Sequence, residues 1–159
     1  MAFKGQVLSI GALLEAARSE STPEVVAPDA AVRHTAAGNA RQVAGESPAE
    51  AWRFGVLQTL DDYASTVRRG GVRLGAAVFT DVPPSTGSAE VDAAFAALAD
   101  FLAERDGWPA PAWAHETSRV AEAWFPSVPA IFREDALRES PRAFRDRGIF
   151  ITASSLARA

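Results

Sequence analysis

The chain has 159 residues, with 16 basic against 20 acidic side chains and a net charge of -4. A chain of that length buries a hydrophobic core without covalent staples, and the absence of cysteine removes disulfide scaffolds, thiolate metal sites and cysteine nucleophiles. The acidic balance argues against nucleic-acid binding by the whole domain, and the two histidines, His34 and His115, leave little for imidazole-based metal or acid–base sites.

The composition is globular, at 48% hydrophobic and 23% charged residues. Of the hydrophobic set 34 residues are alanine, and Lys4 is the only lysine beside 15 arginines. Alanine buries little area, so the apolar payload rests on nine Phe, four Trp, one Tyr and the branched aliphatics. No apolar run approaches the roughly 20 residues that span a bilayer. The opening MAFKGQVLSIGALLEAA superficially suggests a signal peptide, but Gln6, Ser9, Gly11 and Glu15 interrupt it, and an ordinary first element in a cytoplasmic protein is the expectation.

Residues 7–20 read as a lead-in and a short helix with Leu13, Leu14 and Ala17 on its apolar face. Residues 21–47, punctuated by Pro23, Pro28, Gly38 and Gly45, read as a long connection with one short helical turn. A loosely ordered N-terminal segment, 1–47, is thus expected ahead of a helical core domain, 48–159. Ser47-Pro48-Ala49-Glu50 is a capping box with proline at the first helical position. Trp52, Val56, Leu60, Tyr63 and Val67 then recur at helical spacing until Gly70-Gly71. Residues 72–79 fit a strand or a helical extension, and 82–87 a loop.

Ser88 opens a second strong helix through Val91, Phe95, Leu98, Phe101 and Leu102, with Glu90 and Asp92 in its first turn and Gly107 ending it. Trp108 to Trp113 is an aromatic–proline connector. Helices are expected over 115–124, from Ser127 and Pro129 with Ile131, Phe132, Ala136 and Leu137 as the apolar side, and from Ser140-Pro141 to Gly148. Ile149-Phe150-Ile151 is a short extended run and Thr152 caps a last turn ending at Leu156. The expected fold class is mainly α, a compact bundle of about six or seven short helices with little or no strand.

Chemistry-bearing sets are sparse. Gly70-Gly71 and Gly75 match neither the GxxxxGK[ST] nor the GxGxxG phosphate spacing. Asp61 and Asp62 are helical neighbours about 100° apart and diverge. His115 beside Glu116 reads as a capping or packing histidine, and no Gly-x-Ser-x-Gly elbow is present. No cofactor, no metal site and no enzymatic activity are expected. The aromatics Trp108, Trp113, Trp124, Phe125, Phe132, Phe144 and Phe150 serve the core for the most part, yet their density beside prolines points to a partner-facing subset, because Trp, Phe and Arg are enriched at interface cores. The candidate partner-binding set is Trp108, Trp113, Trp124, Phe125, Arg142, Phe144, Arg145, Arg147 and Phe150. Residues 149–151 fit edge-strand addition equally well. The alternative is a dimeric DNA-binding regulator using Arg53, Arg68, Arg69 and Arg73.

Thr86-Gly87, the Val91-to-Ala99 run, Pro109-Ala110-Pro111-Ala112-Trp113, Trp124-Phe125 and Ser140-to-Ile151, in that order, resemble an actinobacterial antitoxin-like helical domain often found with helix-turn-helix regulators. The resemblance spans residues 84–159. It implies a non-enzymatic antitoxin or regulatory accessory subunit that occludes a partner protein, with a nucleotidyltransferase-type toxin as the implied partner and a homodimer as an option. Residues 1–47 lack a second periodic recognition helix, so the resemblance does not extend to autonomous DNA binding.

Overall fold

The structure is a computed structural model and describes residues 32–157. The helix expected over 7–20 lies outside the described residues. The fold is mainly α; among the described residues there is no strand, only an isolated parallel bridge between Trp124 and Ile149.

Thr35 caps α1 (Ala36–Gln42) by accepting a hydrogen bond from the Gly38 amide at 3.0 Å. Ala36, Ala37 and Ala40 are buried. Asn39, also buried, donates to Thr59 Oγ1 at 2.9 Å and to Asp62 Oδ2 at 2.8 Å. For residues 32–47 the expectation of a loose connection with one short helical turn is therefore corrected to a helix packed into the core. Ala36, Ala40 and Val43 belong to the core, and the compact unit begins at Val32. Alanine-rich stretches without bulky residues give little periodic signal, although they pack densely.

Ser47 caps α2 (Pro48–Ala51) as the capping box predicts, with Glu50 N donating to Ser47 Oγ at 3.3 Å. The Glu50 carboxylate accepts from the serine hydroxyl at 2.9 Å. A π-helical turn (Trp52–Val56) follows and leads into α3 (Leu57–Ala76). Gly55 lies under α1: a Cβ there would meet Val43 Cγ2 at 2.8 Å. Gly71, at φ 82° and ψ 177°, breaks the helical path inside α3, and a 3-10 turn (Ala77–Phe79) completes it. Residues 72–79 are thus helical rather than extended, joined through a glycine kink.

Helix α4 (Ala89–Asp106) is the centre of the molecule. Ser88 caps it and Gly107, left-handed at φ 77°, ends it. Every residue from Ala93 to Asp100 is buried, on all sides of the helix. A helix apolar all round must be enclosed, and the enclosing elements are α2, the π turn and α3 on one side and the C-terminal third on the other. Trp52, Tyr63, Phe79, Phe95 and Phe144 are the largest fully buried side chains; truncating any one to alanine costs about 3–5 kcal/mol.

The C-terminal third is mostly turns. The helix expected over 115–124 is absent, and only a 3-10 turn (Ala112–His115) forms. The competing contacts are tertiary. The Arg119 guanidinium reaches back to the Pro83 carbonyl at 2.8 Å, and the amides of Ala121 and Trp124 donate to Arg147 O at 2.9 Å and Gly148 O at 2.8 Å, instead of to their own turn. Short helices α5 (Arg133–Glu139) and α6 (Arg142–Arg145) and a last 3-10 turn (Ala153–Leu156) capped by Thr152 finish the chain. The helices are thus far from uniform: α3 and α4 are long, and the remainder are single turns or two.

Candidate functional site

Three of the candidate partner-binding residues lie inside the molecule, which corrects their assignment. Phe144 is fully buried and meets Trp52 edge-on at 6.4 Å. Trp113 is buried, with its indole N–H on the Phe79 carbonyl at 3.0 Å and the Arg119 guanidinium 5.1 Å above its ring. Arg147, only 7% exposed, ties three elements together. It donates to Asp100 at 3.0 Å, to Ala143 O at 2.7 Å and to Ala114 O at 2.6 Å. A buried guanidinium that ties a carboxylate and two carbonyls from separate segments is a structural staple.

The remaining candidates do not converge. Trp108 stacks on Phe79 at 5.8 Å and donates to Tyr63 Oη at 3.0 Å. Trp124 packs edge-on to Trp52 at 5.9 Å. Phe125 and Phe150 face each other at 5.2 Å, with Arg133 over Phe125. Arg142 bridges Asp100, Glu104 and Asp146 at 3.3, 2.9 and 3.3 Å, a setting in which the Glu104 carboxylate above all raises its pKa. Arg145 is exposed on α6. Arg68, Arg69 and Arg73 are exposed around the Gly71 kink, while Arg53 stands about fifteen residues earlier, roughly 20 Å along the helix axis. His34 and His115 are exposed, and Asp62 is held as an acceptor by Asn39 and Gln58. Among the described residues no three of His, Asp or Glu converge as metal ligands.

Tyr63 forms a separate polar knot. Its hydroxyl donates to Asp106 Oδ2 at 2.6 Å and Asp106 pairs with Arg105 at 2.8 Å. Burial, reinforced by the Asp106 carboxylate, pushes the phenol up to about 12, and the Arg105 hydrogen bond holds Asp106 below its usual range.

A sizeable concavity lies elsewhere. A groove of about 930 Å³ runs between the α2–π-turn segment and the chain from Pro126 to Ser155. Trp52 and Leu57 line its apolar base. Phe54, 56% exposed, and Phe132, 45% exposed, stand at it, and Ile131 is exposed beside Phe132. Ser127, in the wall, is in the left-handed region at φ 53°, a costly conformation for a residue with a Cβ. The π turn is a second irregularity, and π turns often mark functional sites. A shallower hollow of about 360 Å³, lined by Val43 and Glu46, shares Glu50 and Phe54 with the groove.

Phe54 is absent from the candidate set for a clear reason: it falls between the stripe positions Trp52, Val56 and Leu60, so an aromatic off the buried face was its available signal. Ile131, Phe132 and Leu137 read in sequence as the inward side of a helix. In the structure they are exposed, and Ala136 alone of that set is buried.

Among the described residues no helix is long and apolar enough to cross a membrane. No protein-family model, curated protein or solved structure matches the chain.

Proposed function

We propose that this chain is a non-enzymatic protein-binding module of the cytoplasm and that the groove beside Phe54 and Phe132 is its docking face. The observation that carries the reading is the pair of large aromatics left exposed at an apolar-based groove of about 930 Å³, since exposed aromatic clusters beside concavities are what interface anchors use. The resemblance of residues 84–159 gives the specific form: an antitoxin or regulatory accessory subunit that occludes a partner, with a nucleotidyltransferase-type toxin as the partner to try first. Co-expression with the product of the adjoining gene tests this. A complex that survives purification and is lost in Phe54→Ala/Phe132→Ala, with unchanged circular dichroism, is expected. Retention of the complex in that variant overturns the groove as its docking face.

A second reading, DNA binding by a dimer, draws support from the exposed Arg68, Arg69 and Arg73 around the α3 kink. A salt-dependent gel shift on DNA upstream of the gene, lost in the triple alanine variant, is its signature.

A further inference from the structure

The lining of the groove has a chemical bias. Glu50, Asp135 and Glu139 face it, and Glu46 faces the adjoining hollow, against Arg53 as the cation on the same lining among the described residues. Asp135 is paired with Arg138. Glu50 accepts from the Ser47 hydroxyl and Glu139 from the Ala153 amide at 2.8 Å, both neutral donors, so neither hydrogen bond brings a cation to its carboxylate. Pro126 and Pro129, in the wall, bring no N–H, and the Pro129 carbonyl accepts from the Phe132 amide at 2.9 Å. The charged groups of the lining are therefore mostly carboxylate acceptors, and the hydroxyls of Ser127, Thr152, Ser154 and Ser155 add groups that both donate and accept. The exposed Phe132 ring adds a face whose quadrupole attracts cations.

We infer that the occupant of the groove is a partner segment with apolar anchors flanked by arginine or lysine, the anchors covering Phe54 and Phe132 and the basic side chains meeting Glu50 and Glu139. This rests on the docking reading above and adds the partner's chemistry to it. Arg and Lys bring donors without acceptors, which matches the lining; an acidic segment would set carboxylates against Glu50 and Glu139, and like charges at an interface are costly.

Selection from a random peptide library on the full chain tests it, with the Phe54→Ala/Phe132→Ala variant as the counter-selection. The expected pool is apolar and enriched in Arg and Lys. Its best peptide should bind the Glu50→Gln/Glu139→Gln variant about tenfold more weakly at low salt, with the difference shrinking at high salt. Both substitutions keep a side-chain oxygen as acceptor, so the fold is spared. A groove-dependent pool without basic enrichment, or one indifferent to the two Gln substitutions, overturns the charge inference and leaves the docking reading standing. A pool with no dependence on Phe54 and Phe132 overturns the docking reading as well.

Discussion

Replacing Arg147 by methionine separates an internal staple from an interface residue. The substitution keeps most of the apolar stem and removes three contacts at once: the ion pair to Asp100 at 3.0 Å and the bonds to Ala143 O and Ala114 O. Both side chains of the pair are under a tenth exposed, so solvent cannot replace what is lost. Breaking a buried pair from one side costs about 3–5 kcal/mol. Arg142, at 3.3 Å from Asp100, offers partial compensation, which puts the expectation near 3 kcal/mol. Against a typical total of 5–15 kcal/mol that is a large loss, and it moves a urea midpoint by about 1.5 M at an ordinary slope near 2 kcal/mol/M. Unfolding followed by tryptophan fluorescence measures it. The double variant Asp100→Leu/Arg147→Met should regain most of the loss seen in Arg147→Met, because it removes the stranded charge. A loss under about 0.5 kcal/mol, the size of a surface substitution, would refute the staple and return Arg147 to the list of partner-facing residues.

Other expectations follow from single contacts. Tyr63 is the chain's one tyrosine, so tyrosinate absorbance reports it alone: ionisation is expected near 12, not 10. The sign follows from the raised folded value. The stabilisation is complete below the unfolded pKa of 10.0 and is lost as pH climbs to about 12, so ionisation of the folded chain near 10 counts against the Asp106 knot. Gly148→Ala should cost about 2–5 kcal/mol, since the residue sits at φ 72° and its Cβ would lie 2.1 Å from Ala121 O. Gly107→Ala, left-handed with open space around it, should cost only about 1–2 kcal/mol, and equal losses by thermal melting would contradict the role of the Ala121 contact. Gly55→Ala should lose about 1–3 kcal/mol through contact with Val43, and Val43→Ala in the same chain should relieve part of it.

Local grammar was readable wherever a cap met a bulky stripe. Ser47-Pro48, Ser88, Gly107, Thr152 and the stripe Trp52-Val56-Leu60-Tyr63 all stand where periodicity and capping place them. Two kinds of structure stayed hidden. Helix α1 is held by alanines against α3 and by Asn39, none of which carries a periodic hydrophobic signal. Residues 115–124 have helical composition, yet Arg119 and the amides of Ala121 and Trp124 are claimed by segments more than twenty residues away in sequence, an outcome local propensity does not register. The same limit explains the candidate site. Aromatic density singled out Trp113 and Phe144 because it cannot tell an inward ring from an outward one, and for the same reason Phe132 reads as inward although the folded chain leaves it, like the off-stripe Phe54, uncovered.

Helix α4 also sets a schedule. Its sides are closed by Trp113, Ala114, Phe144, Ile149 and Ile151, all of which follow it in the chain. At a synthesis rate of about 5–20 residues per second, the stretch from Gly107 to Ile151 takes roughly 2–9 s to be made. For that interval the nascent chain holds an alanine-, phenylalanine- and leucine-rich helix with only half its enclosure. A stop codon shortly after Gly107 would make the interval permanent, so truncated products should aggregate or be captured by chaperones, while chains ending just beyond Ile151 escape both.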